Sequence, residues 1–480
     1  MSILNHFPGT PRREQAEALL RLEQEWANAD VFILSAPTGA GKSFIALTIA
    51  RWTHKQNRFK TSITTPTKLL VDQYLSLMPK LHTIRNMKDY VCTTYYEQEQ
   101  TVSCKRAREL CEEKRFCADC PYMKAVKKAH VMPYGVYNSW TYMAHRLFRD
   151  VVIFDEGHLV LNMVQSLSAK KLWKWEYGYP NNVRNYQQLL TWVSGHKKRD
   201  TDAKLKKLYV ELTSGKAHYL VERTTDLFRG EEEEVLNLIP IDVRDAPPSM
   251  WPHKKVKKLI LLSATIGRKD VEALGLDRKR VCYIDVASPI PVERRPVHFT
   301  PIGNMSVAFQ DQNMDALVYY IESVLDTRKE AGMIHAPYSL ALKLKERFKG
   351  NPRMLFHTQS NKKEVYDRFR DEGPNAGLVL VGSGLYEGIS LDEDAGRWQL
   401  ITKIPFPNLG EPGYRWIADK DPESYAWQAI RLVVQATGRI CRGPEDYGET
   451  FIVDESFRRL ITRYHHLFPN YFKEALASGT

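Results

Sequence analysis

The stretch Ala36-Pro-Thr-Gly-Ala-Gly-Lys-Ser43 constrains this chain more than any other, because it joins the apolar run Val31–Leu34 to the helical-period stretch Phe44–Trp52. A glycine-rich turn between a strand and a helix lets consecutive backbone N–H groups curl around phosphates, and the helix N-terminus adds its positive dipole end. Lys42 then reaches the β- and γ-phosphates, while Ser43 offers a hydroxyl to Mg2+. Ala36 stands where the usual pattern has its first glycine. The motif implies a nucleoside triphosphate bound at the edge of an α/β sheet.

A second element, Val151-Val-Ile-Phe-Asp-Glu-Gly-His158, is an apolar run that ends in two carboxylates. Parallel α/β sheets present their chemistry at the carboxyl ends of strands, so this run reads as a buried strand delivering Asp155 and Glu156. Asp155 suits a Mg2+ ligand, and Glu156 suits the group that orients an attacking water. The third element is Gln435-Ala-Thr-Gly-Arg-Ile-Cys-Arg442, placed by periodicity on a helix that begins near Tyr425. On such a helix Arg439 and Arg442 share one face, and two guanidiniums together can stabilise the charge of a γ-phosphoryl group in transfer. Because they lie so far from Lys42 in the chain, they imply a second lobe that closes on the nucleotide.

These elements, with others in the same order, resemble the XPD/DinG-like group of superfamily 2, the iron–sulfur helicases. Arg12-Arg-Glu-Gln15 resembles the adenine-reading Q motif, Thr65-Pro-Thr67 resembles motif Ia, and Ser263-Ala-Thr265, after the strand Leu259–Leu262, resembles motif III. Further on stand Ser288-Pro289, Tyr386-Glu-Gly388, Pro405-Phe-Pro407, Asp446-Tyr-Gly448 and Val453-Asp454, again in family order. Ser390 departs from the acidic residue usual in motif V.

The resemblance implies an α/β protein with two RecA-like motor lobes, the first interrupted by an iron–sulfur insertion and a helical Arch-like insertion. It implies catalytic roles for Lys42, Asp155, Glu156, His158, Gln435, Arg439 and Arg442. Nucleotide contacts are implied at Arg12 and Gln15 and along Ala36, Pro37, Thr38, Gly39, Ala40, Gly41, Lys42 and Ser43, with Asp155 beside them. Nucleic-acid contacts are implied at Thr65, Pro66 and Thr67.

Five of the seven cysteines, Cys92, Cys104, Cys111, Cys117 and Cys120, fall between the motif Ia region and Asp155. The chain shows no signal peptide or long apolar span, so a cytoplasmic, reducing compartment is expected, and there clustered cysteines read as metal ligands before disulfides. Lys88-Asp-Tyr-Val-Cys92 and Cys120-Pro-Tyr resemble the approaches to the first and last ligands of the family's four-cysteine [4Fe–4S] domain. A helix from Lys105 would place Cys104 and Cys111 roughly 10 Å apart along its axis. The favoured ligands are therefore Cys92, Cys104, Cys117 and Cys120, with Cys111 as alternate and structural zinc as the other metal. Cys282 and Cys441 read as buried or incidental thiols.

The chain has 480 residues, 43% of them hydrophobic, which suffices for two or three domains. Its net charge of +12 favours a polyanionic partner. The run Lys170–Tyr179 interleaves lysines with Trp173 and Trp175, which suits base stacking and equally suits packing onto a neighbour. Lys42 and Asp155 must meet in one sheet, so the first motor domain is expected from residues 1–84, 129–162 and 252–286. The cysteine block is expected at 85–128, the Arch-like insertion at 163–251 and the second motor domain at 287–480. Glu231–Glu234 reads as a solvated face or loop, and Gly332–His335, Leu378–Val381 and Thr450–Val453 read as buried strands of the second lobe. With the Q motif so near the first residue, no exonuclease domain is expected ahead of the motor.

Taken together, these features predict an ATP-dependent DNA helicase moving 5′ to 3′ on single-stranded DNA, using ATP and Mg2+, with single-stranded and tailed duplex DNA as partners and no membrane. A translocase or remodelling ATPase acting on RNA or R-loops without robust unwinding would use the same motor motifs.

Overall fold

In the computed structural model two six-stranded parallel sheets carry the chain, described at all residues except 1, 98–99, 111–118, 214–218, 229–230, 245, 247–249, 359–360, 385–392, 442 and 479–480. The first sheet runs Val281–Asp285, Val31–Ser35, Lys258–Ser263, Val151–Asp155, Thr61–Thr65, Tyr134–Asn138. All neighbouring strands in it are parallel, so Ser35, Thr65, Asp155 and Ser263 end on one edge. Side chains alternate between faces: Phe32, Leu34, Ile153 and Ile260 enter the core beneath the Lys42–Asn57 helix, while Ile33, Phe154, Leu259 and Leu261 enter the opposite core. Burial on both faces explains the unbroken apolar runs in these strands.

Thr61–Thr65 is the exception, since all five residues are buried and only Ile63 is apolar. Its hydroxyls find partners within the fold. Ser62 Oγ donates to the Leu147 carbonyl at 2.9 Å, Thr61 and Thr53 hydroxyls pair at 3.1 Å, and Thr65 Oγ1 donates to the Thr67 carbonyl at 3.0 Å.

The second sheet runs Val297–Gly303, Glu449–Asp454, Trp398–Ile401, Gly332–His335, Val379–Gly382, Met354–Phe356, again wholly parallel. The strands expected at Gly332, Leu378 and Thr450 are all in it. The Pro422–Thr437 helix packs on this sheet through Ala426, Ile430, Val433 and Val434. Asp421 caps it by accepting from the Ser424 amide at 3.0 Å.

Between residues 85 and 131 the chain forms an antiparallel pair, Val91–Glu97 with Gln100–Ser103, and the helices Cys104–Leu110 and Pro121–Val131. That last helix crosses the 128/129 boundary drawn from sequence, and its Val126 and Ala129 join the first-lobe core. The segment after Asp155 departs from the helical expectation. It has the helices Tyr186–Gly195 and Ala203–Thr213, but also a three-stranded antiparallel sheet of Lys170–Trp173, Glu231–Pro240 and Tyr219–Phe228. Glu231–Glu234 is strand rather than loop; Val235, Leu236 and Leu238 beyond it are buried and hold the strand in place. Among the described residues, no helix is long and apolar enough to cross a membrane.

Candidate active site

The phosphate loop leaves the Val31–Ser35 strand and enters the Lys42–Asn57 helix through Gly41, whose φ of +76° only glycine adopts without strain. A Cβ on Gly41 would also lie 2.3 Å from Gln15 Nε2. Behind the loop, Gln15 Nε2 donates to the Ala40 carbonyl at 2.9 Å and Arg12 Nη2 donates to the Gly39 carbonyl at 2.6 Å. Gln15 Oε1 accepts from the Arg12 amide at 2.9 Å. Arg12 and Gln15 thus brace the loop carbonyls from behind.

Lys42 Nζ lies 3.6 Å from Glu156 Oε1. Burial opposes the Glu156 charge, but Lys42 and Arg439 outweigh it and hold the carboxyl below the usual range. Asp155 is different: burial and then the neighbouring Glu156 push it up to about 6, although Lys42 opposes them. Tyr74 donates its hydroxyl to Asp155 Oδ2 at 2.9 Å, and the Glu156 amide donates to Oδ1 at 3.0 Å. Tyr74 is fully buried, and burial with the Asp155 charge keeps its hydroxyl protonated. Sequence reasoning missed Tyr74, whose only signal is its place on the buried face of the Lys68–Leu77 helix.

His158 joins the lobes. Its Nδ1 lies 2.7 Å from Ser263 Oγ, and its Nε2 lies 2.8 Å from Gln435 Nε2. Gln435 Nε2 also donates to Thr265 Oγ1 at 3.1 Å, and Ser263 Oγ accepts the Thr265 amide at 3.1 Å. Burial pushes His158 down to about 4, so the neutral ring can accept from Gln435 at Nε2 while donating from Nδ1.

Arg439 is not on the helix expected to carry it. The helix ends at Thr437 with Gly438 as its cap, and Thr437 Oγ1 turns back to the Val434 carbonyl at 2.8 Å. Arg439 therefore sits on the loop beyond; Arg442, expected on the same helix face, lies outside the described residues. Beneath this loop His335 Nε2 faces Gln399 Oε1 at 2.9 Å, and Gln399 Nε2 donates to the Ala436 carbonyl at 2.9 Å. That buried pair fixes the helix end from below.

A cleft of about 810 Å³ separates the two sets of groups. Gly39, Lys42, Ser43, Asp155 and Glu156 line one wall, and Gln435, Gly438 and Arg439 line the other. Pro66 and Thr67 reach the same cleft; the Pro66 carbonyl accepts from Asn138 Nδ2 at 2.9 Å, and Thr67 Oγ1 caps the next helix at the Leu70 amide, 3.3 Å. The Trp173 and Trp175 rings pack on Phe228 at 5.2 and 5.1 Å. The lysines around them pair with acids of the same insertion, Lys171 with Asp226 and Lys174 with Glu234.

Cys92, Cys104 and Cys120 share one buried cluster with Ala107, each at most 3% exposed. Cys92 Sγ accepts the Thr94 and Tyr95 amides, both at 3.4 Å. Burial, then Cys120 and Cys92 nearby, push the Cys104 thiol up to about 11. Buried sulfurs that receive backbone N–H groups fit a site for metal-bound thiolates, since a metal cation supplies the charge that burial otherwise refuses. Cys111 and Cys117 lie outside the described residues, and among those described no group of three or more His, Cys, Asp or Glu is placed to hold a metal.

Two family descriptions match the chain: "Type III restriction enzyme, res subunit" over residues 9–190 and "Helicase C-terminal domain" over residues 324–475. The chain is 21% identical over 292 residues to the general transcription and DNA repair factor IIH helicase subunit XPD of Schizosaccharomyces pombe, covering 52% of this chain and 37% of that protein. It is 25% identical over 232 residues to the XPD/RAD3 subunit of Saccharomyces cerevisiae, covering 45% and 29%. The chain thus spans about a third of these relatives' length. Two solved structures, "Structure of S. tokodaii Xpd4" and "XPD_Helicase", each superpose with a TM-score of 0.58, at 13% and 15% identity. They cover 96% and 97% of this chain, and 99% and 98% of their own. Two six-stranded parallel sheets facing one another across a phosphate loop have the fold of two RecA-like motor lobes. The two family matches and the XPD relatives support an XPD-like superfamily 2 helicase, and such helicases imply ATP and Mg2+ at the cleft.

Proposed function

We propose that this chain is an ATP-dependent DNA helicase that moves 5′ to 3′ on single-stranded DNA and parts tailed duplexes in DNA repair, replication or recombination. The observation that carries this reading is the cleft in which Lys42 and Glu156 of one lobe face Gln435 and Arg439 of the other. The loop amides and Lys42 would take the phosphates of ATP, and Ser43 with Asp155 would hold Mg2+. A triphosphate competes with Glu156 for Lys42, 3.6 Å away, and so frees the carboxylate to polarise water. Arg439 would meet the γ-phosphoryl charge from the second lobe, with Arg442 as a further guanidinium. Hydrolysis then releases the cross-lobe hold, and reopening ratchets the strand over Thr65, Pro66 and Thr67.

The domain division follows the motifs: 1–84, 129–162 and 252–286 as the first motor domain, 85–128 as the cysteine domain, 163–251 as the Arch-like insertion and 287–480 as the second motor domain. Cys92, Cys104, Cys117 and Cys120, with Cys111 as alternate, would hold a [4Fe–4S] cluster. Such a cluster would supply metal–thiolate bonds to an insertion with little core of its own. A reducing, cytoplasmic compartment suits these thiols.

Strand separation on duplexes bearing a 5′ or a 3′ single-stranded tail, with matching RNA, tests the reading. Unwinding of the 5′-tailed DNA alone is expected. ATP turnover without strand separation on any substrate would replace the helicase with a translocase or remodelling ATPase.

A further inference from the structure

The Pro422–Thr437 helix presents three residues at four-residue intervals, Trp427, Arg431 and Gln435, which share one helical face. All three meet the first lobe. Gln435 meets His158 and Thr265 beside the cleft. Two turns earlier, Trp427 Nε1 donates to Asp270 Oδ2 at 2.9 Å, and Arg431 Nη1 lies 3.7 Å from Asp270 Oδ1.

Asp270 is built for this contact. It is 3% exposed, and its Oδ2 also accepts the Gly267 amide at 2.9 Å, which fixes the carboxylate at the start of the Arg268–Ala273 helix. Gly267 lets the Trp427 ring come close: a Cβ there would lie 3.1 Å from the ring. Around the buried carboxylate, Lys269 reaches Asp421 at 3.3 Å and Glu423 at 3.4 Å across the same lobe boundary.

Resting on the helicase reading above, we infer that Asp270 is a positioning residue for hydrolysis: by gripping Trp427 and Arg431 it seats the second-lobe helix so that Gln435 reaches His158 and Arg439 faces Glu156. Asp270 touches no nucleotide. A rigid helix held at one end and read at the other transmits the seat directly, and small displacements of catalytic groups are costly to rate. The phosphate loop needs no such seat, because it stands wholly on the first sheet.

Single-stranded-DNA-stimulated ATP turnover is compared in the wild type, Asp270→Ala, Asp270→Asn and Trp427→Phe, with kcat normalised to the ADP-binding fraction of each preparation. Asp270→Ala should lower kcat about tenfold to a hundredfold, the scale of misplaced catalytic groups, with ADP affinity within about twofold of wild type. Asp270→Asn keeps an acceptor for Trp427 and should fall less. If Asp270→Ala does not fold, Trp427→Phe, which removes the N–H donor to Asp270 together with the outer indole atoms over Gly267, carries the test with a smaller fall in kcat. Normalised kcat values within about twofold of wild type in every folded variant, or ADP affinity falling in step with kcat, would overturn the inference while leaving the helicase reading intact. A wild type without ATP turnover would remove the helicase reading and this inference together.

Discussion

The nucleotide cleft and the cysteine insertion are both small sets of chemical groups, but they are held in opposite ways. In the cleft each group is fixed by others of the chain: Gln15 and Arg12 by loop carbonyls, Asp155 by Tyr74, His158 by Ser263 and Gln435. Asp155 ends a strand of the first sheet, while Arg12, Gln15, Tyr74 and Gln435 come from helices or their caps, and each has its partner within the chain. In the insertion, three buried sulfurs sit among one alanine and partly buried aromatics on a two-stranded sheet and short helices. That is little core for a fold of its own, and the proposed metal would add the bonds that complete it. The contrast teaches that the cleft's geometry is set by hydrogen-bond partners within the chain, whereas the thiol cluster has few such partners among the described residues.

The comparison is broken most strongly at Lys42. Lys42→Ala should cut DNA-stimulated phosphate release by about a thousandfold or more, the scale of losing a charge-stabilising group in phosphoryl transfer, while strand binding in a mobility-shift assay persists. Normal turnover would mean that the loop does not bind the triphosphate. Cys104→Ser should act on the other region: iron per chain falls from about four toward zero in anaerobic protein, with the broad visible absorbance lost. Colourless wild-type protein carrying one zinc would assign the thiols to the other metal.

Tyr74→Phe is the milder test of the cleft. It leaves the buried Asp155 Oδ2 without its hydroxyl donor, and about 1–3 kcal/mol of stability should go with it in denaturant unfolding. The smallest effect is in pH. His158 titrates near 4 in the folded chain, below the value of about 6.5 for an exposed histidine, so the unfolded chain takes up the proton first as pH falls. Stability should therefore drop between about pH 6.5 and 4, and the slope should be shallower in His158→Gln. His335, pushed down to about 4 by burial, and His82, His145 and His357, also lowered by burial, add in the same direction, and equal slopes in the two proteins would assign the effect to those rings and not to His158.

The motifs were legible because their chemistry is local. Apolar runs ending in Ser35, Asp155 and Ser263 announced parallel strands, and glycines at 39 and 41 announced the phosphate loop. What escaped depends on contacts between distant residues. Thr61–Thr65 reads as polar and is wholly buried, because Leu147 and Thr53 satisfy its hydroxyls. Helical periodicity ran past Gly438, where the helix in fact stops and hands Arg439 to a loop. The long antiparallel pair Tyr219–Phe228 and Glu231–Pro240 was hidden by its charged half, Glu231–Glu234. Tyr74 and Gln399 act only through partners that no local pattern connects to them.

The central claim is that the catalytic site is shared between the lobes, and phosphate release by Arg439→Ala with saturating single-stranded DNA tests it most directly. Loss of about a thousandfold in kcat, with ADP still bound on the first lobe, is the predicted result for a guanidinium supplied across the cleft. Turnover by Arg439→Ala at the wild-type rate would contradict the account.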